Sequence, residues 1–402
     1  MFDVAVVGGG PVGACAATLL ARSGKLRVVL LEPNAVALPS GQSPLDARVV
    51  ALSRASENIL RAAEAWVHVC GPRLEAYERM RIWHEGIAAF GHEALVFDAA
   101  DVGEPNLGYI LENRLLQGAL LKAFAAAGGQ LEPAALQGLG FGRDAVQVRH
   151  AHGTLEARLV LGADGAQSAV RQLAGLGADV ADYHQVAIVA TVATGQAHQH
   201  TAWQRFMRDG TLAFLPLADG TSSIVWSADE PLARARLADA DPVFEAALEV
   251  AADGALGTMQ LKSERQAFPL RRLSAQRYAG ERVALLGDAA HVVHPLAGQG
   301  VNLGLLDAAA VAERVLEAVG RREDPGALGV LRAYERWRRS EVALMDAAIH
   351  GFDRFLSHAT GPAGRLARQG MSFVARSQEL RRFFVRHALG MSGELPQAAK
   401  RA

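Results

Sequence analysis

The sequence has little cysteine: Cys15 and Cys70 are the only two in 402 residues. Neither belongs to a CxxC pair or a Cys/His cluster, which excludes a thiolate metal centre and a disulfide-built scaffold. The count leaves one disulfide open, but such scarcity fits a reducing compartment. Long apolar runs are missing too, since no uninterrupted stretch approaches the roughly 20 residues a membrane helix needs. The first apolar run, Val4–Val7, is too short for the core of a signal peptide and leads straight into glycine. A cytoplasmic protein is the expectation. Neither charge is in excess: 41 Lys and Arg stand against 42 Asp and Glu, so no whole-chain field favours nucleic acid as a partner. The chain shows no internal repeat and no low-complexity linker.

What is present is an ordinary globular composition, 50% hydrophobic and 21% charged. It is spread over more residues than one core usually takes, so two domains are expected. Four short apolar runs, Val4–Val7, Val28–Leu31, Leu159–Leu161 and Val283–Leu286, each end in glycine or an acidic residue. They read as buried parallel strands whose C-terminal ends face a ligand. Between the first two, Pro11–Ser23 carries Ala, Leu and Thr at helical spacing, and Gly24 closes it. The first 32 residues are thus a βαβ unit. From about Asp182 to Phe268 the texture changes. Ile188–Val192, Thr211–Leu215 and Ser223–Trp226 are β-rich and separated by turns such as Ala218-Asp219-Gly220, which predicts an inserted antiparallel sheet. After Gly300 the chain reads as helix, through Leu303–Ala318 and Leu331–His350.

Three motifs carry chemistry. Gly8, Gly10 and Gly13 form a GxGxxG between a strand and a helix, and Glu32 ends the next strand. Gly8 permits the tight turn, Gly10 lets backbone approach a pyrophosphate, and Gly13 lets helix pack on strand. The helix N-terminus supplies donors for phosphates. Glu32 is placed to accept hydrogen bonds from an adenosine ribose, and an acid there argues against a 2′-phosphate. The second motif is Gly287-Asp288, followed by His291, His294-Pro295, Gly298-Gln299-Gly300, Val301 and Asn302. Its carboxylate can face ligand hydroxyls, its glycines allow close approach to a flat cofactor, and the following helix points its positive end back. Read alone, it is also a glycine-rich loop that starts a helix. The third, Asp164-Gly165 with Ser168, Val170 and Arg171, is read alone a common turn. Gly138–Gly142 is glycine-dense but lacks a following helix and acid, and is expected to be a β-turn region. His291 and His294 lack the further ligands of a metal site, so histidines packed beside a cofactor are the better reading.

In order and approximate spacing these motifs resemble those of the para-hydroxybenzoate hydroxylase-like flavoprotein aromatic monooxygenases. The likeness narrows with Asp46-Ala47-Arg48, Ala51-Leu52-Ser53, Phe214-Leu215-Pro216-Leu217, Phe268-Pro269-Leu270 and the block Gly287–Gly304. Over nearly the whole chain the sequence resembles the ubiquinone-biosynthesis FAD-dependent hydroxylase family.

The resemblance implies an α/β protein, a Rossmann-like FAD-binding domain with an inserted antiparallel-sheet substrate domain and a helical C-terminus. We place the FAD-binding parts at 1–72, 104–181 and 273–340, the substrate domain at 73–103 and 182–272, and the helical region at 341–402. Gly8, Gly10, Gly13, Glu32, Arg48, Arg114, Asp164, Gly165, Gly287, Asp288, Gly300, Val301 and Asn302 are then expected to bind FAD. Within that set Arg48 lies near the flavin, Arg114 near phosphates and ribose, and Asp288 on the ribityl chain; a solvated or ion-paired arginine is the lesser alternative for Arg48 and Arg114. Pro295, Gly298, Gln299 and Gly300 are expected against the isoalloxazine and the substrate. The implied reaction uses NAD(P)H as a transient co-substrate and O2, with a flavin hydroperoxide oxidising a prenylated phenol or quinol. A flavin-dependent reductase of the same fold, or a non-catalytic FAD-bearing subunit, are the alternatives. Trp203, Phe206, Phe214 and Trp226 either line an aromatic site or fill a core. The basic tail from Arg354, with Leu380, Phe383, Phe384, His387 and Met391 on one helical face, suits either a membrane surface or biosynthetic partner, or packing on the domain. Self-association is compatible with the sequence.

Overall fold

We describe the computed structural model at residues 1–34, 36–39, 45, 46, 48–293, 299–357, 379, 390 and 393–401, with the backbone alone at 299 and 348–357. Strand β1 (Phe2–Val7) leaves through Gly8 into helix α1 (Pro11–Arg22), whose Ala-rich face is buried. β2 (Val28–Leu31) returns parallel to β1, in register Val4 to Val28. β3 (Val49–Ser53) leads into α2 (Arg54–Ala62), where the Ser53 hydroxyl accepts from the Ser56 N–H as an N-cap. Then come α3 (Trp66–Val69), β4 (Glu75–Tyr77), β5 (Arg79–His84), β6 (Leu95–Asp98), β7 (Gly108–Glu112) and α4 (Asn113–Ala126). β8 (Gln130–Glu132) is followed by the meander β9 (Leu136–Phe141), β10 (Val146–His150) and β11 (Gly153–Gly162), and then by α5 (Ala169–Leu173). The β-rich region holds β12 (Ala178–Thr194), β13 (Thr201–Met207), β14 (Gly210–Pro216), β15 (Ser222–Asp229), α6 (Glu230–Ala238), α7 (Asp241–Ala251), β16 (Met259–Leu261) and β17 (Gln266–Ala275). β18 (Ala279–Gly280), β19 (Val283–Leu285), β20 (His291–Val292), α8 (Gln299–Gly320) and α9 (Leu328–Ser357) complete it.

The four apolar runs pair side by side as parallel strands. The order is β19-β11-β1-β2-β8, with every one of these pairings parallel. Their residues are buried on both faces, which is why they read as continuous apolar runs without alternation. The second sheet runs β20-β17-β12-β15-β14-β13-β5-β6 and is antiparallel except where β13 meets β5. Residues 79–98 therefore join it from far upstream. A three-stranded sheet, β3-β7-β4, stands apart. One apolar core lies on the parallel sheet and another between the second sheet and helices α6 and α7.

Two expectations meet a definite answer. Gly138–Gly142 is mostly strand, not a turn: Leu139 and Gly140 pair with Val148 and Gln147, and the turn is confined to 142–145. The two cysteines are free, Cys15 buried and Cys70 exposed. Among the described residues no helix is long and apolar enough to cross a membrane.

Candidate functional site

The turn after β1 is fixed from below. The Gly8 N–H donates to the Leu31 carbonyl at 2.9 Å, and its φ of +97° lies where only glycine is unstrained. A Cβ on Gly8 would collide with the Ala163 carbonyl, and one on Gly13 with the Gly8 carbonyl. Gly10 is different, because a Cβ there would meet nothing within 4 Å. Gly10 is also the N-cap of α1 and provides no side-chain cap, while Pro11 follows it. The backbone at Gly10 thus has open space beside it at the N-terminus of α1, which fits a pyrophosphate. Glu32 stands over this turn, its carboxylate accepting from the Gly9 N–H at 2.7 Å and the Asn34 N–H at 2.8 Å. Glu32→Ala is expected to weaken FAD binding only by about 1 kcal/mol, roughly fivefold, because it removes one of several adenosine contacts; a flavin fluorescence titration measures it.

The Gly287-Asp288 turn reaches the same helix end. Gly287, at φ +55°, and Gly304 of α8 both lie against Val12 of α1. A Cβ on Gly287 would be 3.2 Å from the Val12 methyl groups, and one on Gly304 would overlap them. Two glycines far down the chain thus grip the residue that follows Pro11. Asp288 beside them is open to solvent yet closely surrounded by protein, as a carboxylate on the floor of a cleft is. Desolvation by that surrounding protein raises its pKa, and the charges of His291 and Arg48 partly offset this. Asp288→Ala should purify largely free of flavin, read from the 450 nm absorbance per chain; flavin occupancy equal to wild type would remove Asp288 from the site.

Below the turn lies a buried network that sequence reasoning missed. Asp307 of α8 is fully buried; its Oδ2 accepts the Gly287 N–H at 3.0 Å and lies 2.6 Å from His291 Nε2, and its Oδ1 accepts from Arg338 Nε at 2.7 Å. Burial alone raises the Asp307 pKa, but the His291 and Arg338 charges outweigh it and hold the carboxyl below its ordinary value. His291 is therefore engaged by Asp307 and stacked on Tyr278 at 5.8 Å. The only sequence signal for Asp307 was an acid inside an apolar helix.

The remaining residues take less direct places. Both Asp164 oxygens are used within their own loop, by Ser168 Oγ at 2.5 Å and the Val170 N–H at 3.0 Å. The loop packs on Gly8, and Arg171 ties it to the Ala289 carbonyl at 2.8 Å. Asp164 and Gly165 thus shape the wall of the turn, with both carboxylate oxygens engaged in their own loop. Asn302 is likewise turned to the protein: its Oδ1 accepts from the Ser53 N–H and Ser56 Oγ, and its Nδ2 donates to the Ala51 carbonyl. This binds α8 to β3 and α2, because a buried amide must find partners. Arg48 lies over the Phe268 ring at 5.9 Å, and Arg114, at the start of α4, pairs with Asp46 at 3.6 Å. The Asp46 carboxylate also accepts the Arg48 N–H, so the two arginines flank one acid. Gln117, one turn into α4, donates to the Gly9 carbonyl at 2.9 Å and was not foreseen. Gly300 is open around its Cα and Val301 half-buried. Pro295, Gly298, His294 and the Gln299 side chain lie outside the described residues, as do most of the basic tail and its apolar face. Trp203, Phe206, Phe214 and Trp226 are buried in one cluster with Phe244 and Leu248, so they fill a core. A groove of about 660 Å³ lined by Arg22, Arg61 and Trp66 shares no residue with this site.

Comparison with known proteins agrees with this geometry. The family described as "FAD binding domain" matches residues 142–345, and "NAD(P)-binding Rossmann-like domain" matches residues 6–43, the fingerprint unit. The chain is 37% identical to the ubiquinone hydroxylase UbiL of Rhodospirillum rubrum over 96% of its own length and 89% of that protein. It is 34% identical to the 3-demethoxyubiquinol 3-hydroxylase of Escherichia coli (strain K12), over 97% and 98%. In structure it is similar to p-nitrophenol 4-monooxygenase PnpA from Pseudomonas putida DLL-E4, with a TM-score of 0.74, 20% identity and 96% and 98% coverage. That likeness shows the shared fold.

Proposed function

We propose a function from one premise: the chain belongs to the ubiquinone-biosynthesis family of FAD-dependent hydroxylases. It is an enzyme, a flavoprotein monooxygenase. Our reading is that it hydroxylates the phenol or quinol ring of a polyprenylated intermediate of ubiquinone biosynthesis, taking O2 as oxidant and electrons from NAD(P)H. When bound and reduced, FAD would supply the oxygen-activating chemistry. The observation that supports this reading best is the grip of Gly287 and Gly304 on Val12, which brings Asp288 beside the phosphate-binding end of α1.

The chain's own residues have separable tasks. The α1 N-terminus and Gly10 would seat the phosphates, and Glu32 the adenosine ribose. Asp288 would accept hydrogen bonds from ribityl hydroxyls. The start of α8, at Gln299 and Gly300, would aim its positive end at the isoalloxazine and favour an anionic reduced ring. Arg48 adds a cation on the Phe268 side of Asp288. The Asp307–Arg338 pair holds the Gly287 turn still, so that these groups stay in one geometry.

Purified protein incubated with NAD(P)H and a panel of prenylated phenols should consume reductant only with the right ring and yield a product heavier by one oxygen. That atom should come from labelled O2. Reductant consumption with no label in the product would make it a reductase, and no stimulated consumption with any prenylphenol would leave a non-catalytic subunit. We also propose a cytoplasmic enzyme resting on the inner membrane face, a reading supported by the basic tail sequence. Flotation with anionic liposomes that is equal for full-length and tail-deleted protein would reject it.

A further inference from the structure

We propose that Glu132, His150 and His152 form a binding site for a divalent transition-metal ion of the zinc class. Glu132 ends β8, His150 ends β10, and His152 stands in the turn before β11. Their ligand atoms, one carboxylate oxygen and the two Nδ1 atoms, all lie within 4.8 Å of one another. A tetrahedral zinc ion with bonds of 2.0–2.1 Å sets its ligand atoms about 3.3 Å apart. The observed separations bracket that value: His152 Nδ1 is 2.8 Å from Glu132 Oε1, and His150 Nδ1 is 3.7 Å from the same oxygen.

The protein alone satisfies only part of this cluster. His152 and Glu132 form a hydrogen bond, which accounts for two of the three groups. His150 is the remainder. Its side chain is 8% exposed, and its Nδ1 has no hydrogen-bond partner although it points into the cluster. A buried polar atom left without a partner costs about 1–3 kcal/mol. A cation between the three groups would satisfy that nitrogen and draw the carboxylate into line. Two imidazoles and a carboxylate are the donor set that suits zinc, and calcium or magnesium would want more oxygen. The His152 side chain is 57% exposed, which leaves an entry path and room for water as the fourth ligand.

The site stands apart from the flavin chemistry but joins the nucleotide half. The Glu32 N–H donates to the Glu132 carbonyl at 3.0 Å, so the ion would sit one strand from the residue that faces the adenosine ribose. It would pin the β10–β11 turn to the edge of the parallel sheet, a structural task. A second group of potential ligands, Asp182, His184 and Glu230, has only one histidine and is wholly exposed, which makes it a useful control.

The test uses the FAD-bound enzyme, dialysed against EDTA and titrated with Zn²⁺ by calorimetry. One equivalent should bind, and the thermal unfolding temperature should rise and fall back with EDTA. His152→Ala changes an exposed side chain and should weaken binding by more than about 100-fold, beyond the loss of an outer-shell partner. Glu132→Gln should do the same while keeping a hydrogen-bonding group. His184→Ala should change nothing. The proposal is overturned by absence of stoichiometric binding, by equal binding in His152→Ala, or by binding lost in His184→Ala.

Discussion

Gly10→Ala is expected to yield apoprotein that unfolds at the wild-type temperature but binds FAD about 5- to 150-fold more weakly. The position is unusual among the fingerprint glycines. Its backbone, at φ −61° and ψ 174°, is one any residue adopts, and a methyl group there meets no protein atom within 4 Å. Folding alone gives no reason for glycine. The space matters only when a phosphate comes against the backbone, and overpacking of that kind costs about 1–3 kcal/mol. Gly13→Ala makes the contrast. Its methyl group collides with the Gly8 carbonyl, backbone against backbone, so both the unfolding temperature and FAD binding should fall. Calorimetric melting of the apoproteins and fluorescence titration with FAD separate the two. A Gly10→Ala variant with wild-type FAD affinity would show that the pyrophosphate lies elsewhere.

Asp307→Ala should destabilise the fold by about 3–5 kcal/mol, because it leaves Arg338 as an uncompensated charge that is 1% exposed. A loss of about 4–6 °C in unfolding temperature is expected for a chain of this size. Flavin should be lost as well, since the Gly287 N–H loses its acceptor and the turn that carries Asp288 comes free. The pH dependence has a definite sign. The folded-state pKa of Asp307 is depressed below 3.8, so its contribution is complete above that value and disappears as pH falls through the lower one. Acid unfolding of Asp307→Asn should accordingly be shallower below about pH 4 than that of wild type. Replacing both partners, as Asp307→Leu with Arg338→Met, should recover part of the loss by removing the stranded charge. If Asp307→Ala melts like wild type, the network is not what holds the turn.

The parts of the site that were legible in the sequence are those in which neighbours along the chain are also neighbours in space. A strand, glycines at fixed offsets and a helix predict the turn at Gly8 because the clash of Gly13 with Gly8 is five residues long. Glu32 was legible because a strand end has a fixed direction. Residues whose partners come from elsewhere were read less well. Asn302 reads in the sequence as a ligand of the cofactor, and only the fold shows that its side-chain amide bonds Ala51, Ser53 and Ser56, about 250 residues away. Asp164 reads similarly, and only the fold shows that its own loop engages both oxygens. Gln117 and Arg338 were passed over because a polar residue in a helix is by itself no signal.

By itself the sequence determined the βαβ unit, the parallel runs, the inserted β-rich region and the long final helices, since period and turn chemistry act over a few residues. It also carried the dinucleotide fingerprint on Gly8, Gly10, Gly13 and Glu32. Only the tertiary structure decided which side chains complete the site. Val12 is held by Gly287 and Gly304, and Asp288 stands in the cleft because Asp307 and Arg338 fix the turn that bears it. Such choices rest on steric fit and on the pairing of buried charges across hundreds of residues. Neither leaves a periodic trace along the chain.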